Sequence, residues 1–271
     1  MLIPFKNGKI NFSDKGSGPV IVLIHGYMET LDVWENFASR VSQKFRTLSI
    51  DLPGHGLSDI CNEINSMELM AESVITVLNS LNIQKAFFVG HSMGGYVVLA
   101  AFQLFSKRIS GITLLNSHPF ADSPAAIEDR NKNIALVKAG KKDDIIPAFI
   151  QNLYTVQNLK AMPKAVDMSF AIALEISDKT IIADLKGMIE RPSRVRLIEE
   201  GKVPLLWILG DKDKHINCIE ALKAVKLPVN SEVTVLSDVG HMVFIEAEEV
   251  LSDILVKFVL KILQLSDNYE L

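Results

Sequence analysis

The stretch "KAFFVGHSMGGYVVLAAF", residues 85–102, runs from an apolar segment through Gly90, His91, Ser92, Met93, Gly94 and Gly95 into a second apolar segment. A short apolar run closed by glycine reads as a buried strand, and the longer run after it reads as a helix. Gly90 and Gly94 stand two residues before and two after Ser92, where a tight strand-to-helix turn leaves no room for side chains. Two meanings fit this turn. Ser92 is either the N-cap of the helix, a common use of serine, or a nucleophile presented on a sharp bend, and only the rest of the chain separates the two.

Outward from this turn the chain alternates. "PVIVLIH" (19–25), "RTLSIDLPGHG" (46–56), "ISGITLLNS" (109–117), "VPLLWILG" (203–210) and "SEVTVLS" (231–237) read as strands, the first of them a continuous apolar run of the kind buried on both faces. Between them "ENFASRVSQKF" (35–45) has helical spacing and "SMELMAESVITVLNSLNI" (66–83) is an amphipathic helix with Ser66 as its N-cap. Asn7-Gly8 predicts a hairpin turn near the start, and a helix is predicted from about Glu246 to Leu265. Residues 119–198 break the rhythm, with successive helical patterns and no strand. The fold class expected is therefore α/β: a mostly parallel sheet flanked by helices, formed by 1–118 and 199–271, with a helical insertion at 119–198.

Composition narrows the function classes. The chain has 271 residues, 48% hydrophobic and 22% charged, as expected of a globular domain with a sizeable core. A net charge of −4, with no basic run longer than Lys141-Lys142, argues against nucleic acid or anionic lipid as a partner. Two cysteines, Cys61 and Cys218, make neither a disulfide framework nor a cysteine zinc site. No apolar run approaches the roughly 18 residues of a membrane span, and the N-terminus has no secretory pattern. A cytoplasmic protein is expected.

Ligands of an open parallel sheet bind beyond the carboxyl ends of its strands. Reading the residues that follow each strand yields His25-Gly26-Tyr27, Asp51, Ser92, Asn116-Ser117-His118, Asp211 with Asp213, and Gly240-His241. A neutral hydroxyl attacks a carbonyl usefully only when a base takes its proton and a third group orients that base. Serine, then an aspartate after "LLWILG", then His241 follow the chain order of the nucleophile-elbow scaffold. The backbone N–H groups of Met93 and Tyr27 are the expected oxyanion donors, and losing one such donor costs about 10²- to 10³-fold in rate.

Five stretches, "VLIHGY", "DLPGHGLS", "GHSMGGYVVL", "LLWILGDKDKHI" and "VGHMVFIEAEEV", together resemble the α/β-hydrolase superfamily in order and spacing. The resemblance covers about 1–118 and 199 to the end, and implies that the insertion is a helical cap over the site. It selects Asp213 rather than Asp211 as the acid, places the base at His241, and implies an acyl-serine mechanism without cofactor or metal. A serine hydrolase of a small acyl compound, most simply a carboxylic ester, is the reading that follows. The same triad in this family also serves carbon–carbon bond hydrolases, a menaquinone-pathway type of lyase and cofactor-free perhydrolases, and the scaffold also serves as a small-molecule receptor. An aspartate nucleophile, used by haloalkane dehalogenases and soluble epoxide hydrolases, is absent where Ser92 stands.

The remaining candidates have blander expectations. His25 is read as a hydrogen-bonded structural residue, and Gly26 as lending the backbone freedom that turns the Tyr27 N–H to the site. His55 sits in "GHGLSD", which lacks the third glycine of a dinucleotide fingerprint. His91 is expected to support the turn, His118 to line the pocket and touch substrate, and His215 to lie on the surface near the acid. Asp211 and Asp238 are read as turn residues. Phe120, Phe149, Met162, Met168, Phe170 and Met188 of the insertion are read as packing between helices and core.

Overall fold

The computed structural model describes residues 1–267. Eight strands form one sheet: β1 (Leu2–Phe5), β2 (Gly8–Lys15), β3 (Val20–Ile24), β4 (Arg46–Ile50), β5 (Ala86–His91), β6 (Ile109–Leu115), β7 (Leu205–Gly210) and β8 (Ser231–Leu236). Their order across the sheet is β1-β2-β4-β3-β5-β6-β7-β8. β1 and β2 pair antiparallel, as do β2 and β4, and every other neighbouring pair is parallel. The central strands β3, β5 and β7 are buried almost throughout, which is why their sequences are continuous apolar runs rather than alternating ones.

The helices of the sheet layer are α1 (Glu35–Val41), α2 (Met67–Ser80) and α3 (Met93–Phe105). Ser66 caps α2, its hydroxyl accepting the Leu69 N–H at 3.1 Å. Between β6 and β7 the chain forms α4 (Pro124–Lys138), α5 (Lys142–Leu153), α6 (Val156–Ala161), α7 (Pro163–Glu175), α8 (Asp178–Glu190) and α9 (Val195–Glu199). After β7 come α10 (Cys218–Lys223), α11 (Val243–Glu246) and α12 (Glu248–Asp267). The short α6, α9 and α10 have too few turns to print a helical period on the sequence. Among the described residues, no helix is long and apolar enough to cross a membrane.

The first hairpin turns one residue earlier than Asn7-Gly8 implies. Phe5 pairs with Gly8, so Lys6 and Asn7 are the two turn residues, and Lys6 takes the positive φ of 49°. Only the first turn position needs the left-handed region here, and a lysine tolerates it while Gly8 opens the next strand.

The segment between β6 and β7 is tied to the sheet by polar contacts as well as packing. His55, in the loop after β4, lies 3.0 Å from Asp184 of α8, both side chains fully buried. Asn65 donates to the other Asp184 oxygen at 2.7 Å. The end of α5 docks on the loop before α11, where the Leu153 carbonyl accepts the His241 and Met242 N–H groups at 2.8 and 3.2 Å.

Candidate active site

The turn at Ser92 is as tight as its glycines imply. A Cβ on Gly90 would sit 2.4 Å from the Gly94 carbonyl oxygen, and one on Gly94 would sit 2.3 Å from the Ile24 carbonyl oxygen. Ser92 itself is held at φ 50°, ψ −116°, a region that costs a non-glycine residue about 1–3 kcal/mol. Its carbonyl is fixed by Ser117, whose hydroxyl donates to it at 2.7 Å. Ser92 makes no side-chain cap to α3, so the N-cap reading of the serine has no hydrogen bond behind it. The Met93 N–H is the first of α3 and therefore one of the donors a helix leaves without an internal partner.

Asp213, three residues beyond β7, accepts three hydrogen bonds. His241 Nδ1 lies 2.7 Å from Asp213 Oδ2, while the His215 and Ile216 N–H groups donate to Oδ1 at 2.7 and 3.1 Å. Burial alone would raise the Asp213 carboxyl, but His241 and those two N–H groups hold it below the ordinary range. Burial alone would lower His241, and Asp213 overrides it and pushes the imidazole above its usual value. Asp211 bonds the Asp238 N–H at 2.7 Å and Lys212 at 3.0 Å, shaping the loop, and Asp238 is an exposed turn residue at φ 60°.

Ser92 and His241 line one cavity of about 190 Å³, together with Tyr27, Glu29, Tyr96, His118, Asp122, Arg130, Phe149 and Met188. Of the six apolar side chains singled out in the insertion, Phe149 and Met188 reach this cavity. Met162 and Met168 line a separate groove beside Phe244. Phe120 instead stacks on His118, with ring centroids 5.2 Å apart. His118 lies in the cavity wall, and burial lowers its pKa to about 4, leaving the ring neutral near pH 7. Its Nδ1 accepts the Phe120 N–H at 3.2 Å, so its proton resides on Nε2 and is donated to Tyr96 Oη at 3.2 Å. His215 is exposed at the cavity edge, with its ring 4.9 Å from that of His241.

A second layer of residues holds this arrangement. His91 Nε2 donates to the His241 carbonyl at 2.9 Å, and its Nδ1 lies 3.0 Å from Glu29. Glu29 also accepts the Gly26 N–H at 2.6 Å; burial alone would raise its carboxyl, yet His91 and that N–H hold it low. Gly26 has no positive φ; it is small because a Cβ would lie 2.9 Å from His91 Nδ1 and 3.1 Å from Glu29 Oε2. Asn116, at the end of β6, accepts the Gly210 N–H at 2.9 Å and donates to the carbonyls of Gly240 and His241 at 2.5 and 2.9 Å. One side chain thereby ties the loop of the acid to the loop of the imidazole.

His25 is structural: its Nδ1 donates to Gly26 O at 2.8 Å, its Nε2 accepts the Leu52 N–H at 3.0 Å, and burial drives its pKa to about 3. Asp51 is spent on Leu31 N–H, Asn11 and Leu57 N–H. Glu29, Asn116, Asp122 and Arg130 were given no role from the sequence. Asn116 and Glu29 had a usable signal, since each follows directly on a strand end or its glycine loop. Asp122 and Arg130 had none, because the insertion has no register that relates its residues to the sheet.

A family model described as the alpha/beta hydrolase fold matches residues 19–157, just over half of the chain. The chain belongs to the α/β-hydrolase family. It is 29% identical over 248 residues to the dihydrolipoyllysine-residue acetyltransferase component of the acetoin cleaving system of Pseudomonas putida, covering 90% of this chain and 64% of that protein. It is 28% identical over 207 residues to bifunctional epoxide hydrolase 2 of Sus scrofa, covering 71% of this chain and 35% of that protein. The chain thus spans less than two thirds of the length of these relatives. Among solved structures, a thermophilic esterase from Thermogutta terrifontis with malate bound superposes with a TM-score of 0.88 at 26% identity, over 94% of each chain. The enol-lactonase from Burkholderia xenovorans shares the fold with a TM-score of 0.87 at 20% identity, over 96% of this chain and 99% of that one.

Proposed function

We propose that this α/β hydrolase is a serine hydrolase that cleaves a small carboxylic ester through an acyl-serine intermediate. The observation that carries this reading is the 2.7 Å contact of Asp213 with His241 Nδ1 in the cavity that Ser92 enters on its strained turn. With Nδ1 engaged by the carboxylate, the neutral imidazole leaves Nε2 as its acceptor.

Ser92 Oγ attacks the ester carbonyl as His241 Nε2 takes the hydroxyl proton, and the Met93 and Tyr27 N–H groups receive the developing oxyanion. The tetrahedral adduct collapses with loss of the alcohol, which leaves with the proton from His241. Water then attacks the acyl-serine while His241 accepts its proton, releasing a carboxylic acid and restoring Ser92. Asp213 stabilises the imidazolium formed in each half-reaction. The strain at Ser92 is part of this arrangement, since the turn lifts Oγ clear of the helix backbone.

Replacing Ser92 by alanine lowers kcat for a short p-nitrophenyl ester by about 10⁶-fold while circular dichroism stays unchanged. A fluorophosphonate probe labels Ser92 in the folded wild type and not in the variant. Undiminished hydrolysis by Ser92→Ala would overturn the proposal, and an unlabelled wild type would favour a ligand receptor on the same scaffold.

A further inference from the structure

One acidic side chain in the cavity wall is shared by two cations. Arg130 Nε and Nη2 donate to Asp122 at 2.6 and 3.3 Å, and Arg191 Nη2 lies 2.7 Å from the same carboxylate. Asp122 and Arg191 are almost wholly buried, at 4% and 2% side-chain exposure, and Arg191 also stacks on the Tyr96 ring at 3.9 Å. Two guanidinium groups against one carboxylate leave a net positive charge next to the cavity of Ser92. Arg130, at 21% side-chain exposure, shares its one carboxylate with Arg191, so a ligand carboxylate at its free edge would complete the charge pairing.

Among the described residues, no other carboxylate in or beside the wall supplies it. Glu29 is committed to His91 and the Gly26 N–H, and Asp213 to His241 and two backbone N–H groups. Tyr27 stays a neutral phenol because burial pushes its pKa up. Nearby Arg194 is already paired with Glu68. Arg130 is the cation that lines the cavity itself, and among the described residues its Nη1 has no protein partner. A guanidinium edge of this kind recognises a carboxylate. The cavity of about 190 Å³ holds a short chain, since each water in the liquid occupies about 30 Å³.

We infer that Arg130 is a specificity residue and that the substrate is a short ester bearing a free carboxylate, which Arg130 binds. This rests on the serine hydrolase reading for the reaction, but not for the binding.

Three esters test it by proton release at constant pH: monomethyl glutarate, methyl butyrate as the neutral comparison, and O-butyryl glycolate with the carboxylate on the alcohol half. In the wild type, kcat/KM for one of the two charged esters exceeds that for methyl butyrate by about 10- to 100-fold, and which one does so tells whether Arg130 faces the acyl or the alcohol half. In Arg130→Gln that ratio falls to one or below, and in Arg130→Lys it is partly kept. Preference for the neutral ester in the wild type, or a ratio unchanged in Arg130→Gln, overturns the inference.

Calorimetric titration of glutarate into Ser92→Ala provides a readout independent of turnover and of whether Arg130→Gln folds. Glutarate binds at least tenfold more tightly than glutaramide, and equal or undetectable binding of the two overturns the inference. Labelling of Ser92 and hydrolysis of methyl butyrate without any carboxylate preference leave the hydrolase reading standing and remove this one alone.

Discussion

Two carboxylate–imidazole pairs lie side by side in this molecule. Asp213–His241 and Glu29–His91 have contacts of 2.7 and 3.0 Å, and the two imidazole rings are 4.7 Å apart. What separates them is the other ring nitrogen. His91 Nε2 is spent on the His241 carbonyl, so both nitrogens of His91 face fixed protein acceptors. His241 lines the cavity, and among the described residues its Nε2 has no protein partner. A histidine next to a carboxylate is thus not by itself a base; the second nitrogen must remain open to substrate. The inner pair holds the backbone of the outer one, and the outer pair's imidazole faces the cavity.

The contrast is broken most severely at the outer pair. Asp213→Asn preserves the shape of the side chain but lets the imidazole adopt the wrong tautomer, and kcat falls by about 10⁴-fold in the same ester assay. A loss under tenfold would mean that Asp213 only shapes its loop.

The pH profile sharpens the same point. In the proposed reaction His241 acts as a base only when neutral, and although burial opposes it, Asp213 raises its pKa above the ordinary histidine value of about 6.5. kcat/KM therefore falls tenfold per pH unit on the acid side with a midpoint above 6.5. In Asp213→Asn the midpoint of the residual activity moves down, because burial is then less opposed.

At the inner pair the effect is on stability first. Glu29→Gln keeps an acceptor for the Gly26 N–H but removes the charge facing His91, costing about 1–3 kcal/mol, or several degrees in melting temperature. Its kcat drops far less than that of Asp213→Asn. An equal drop would erase the distinction between the pairs.

A third pair, His55–Asp184, tests whether a fully buried carboxylate–histidine contact away from the cavity serves only to hold α8 on the sheet layer. Burial alone would lower the His55 pKa, yet Asp184, with Asp51 adding to it, raises it. A raised folded pKa means that the pair's stabilisation is complete below about pH 6.5 and is lost as pH rises through the folded value. The melting-temperature gap between wild type and Asp184→Asn is accordingly widest near pH 6 and narrows by a few degrees toward alkaline pH.

The sheet was legible because buried parallel strands must be continuous apolar runs and because glycines mark where backbones touch, as at Gly90 and Gly94. The hairpin register was not, since Lys6 and Asn7 satisfy the turn without using the glycine beside them. Positions after strand ends could be enumerated from sequence, and the fold gathers Ser92, His241, Tyr27 and His118 into one cavity. His215, read as a surface residue, is exposed as expected, but it also packs edge-on against His241.

The sequence by itself determined the α/β-hydrolase layer and the candidates at its strand ends, because strand periodicity and tight turns are local and leave their mark on consecutive residues. Only the tertiary structure decided that Asn116 joins the loops of Asp213 and His241, that His91 is closed at both nitrogens, and that Arg130 and Arg191 share Asp122 at the cavity. Those contacts join residues 8 to 150 positions apart, and the charge left over among them is a sum that no single stretch of chain contains.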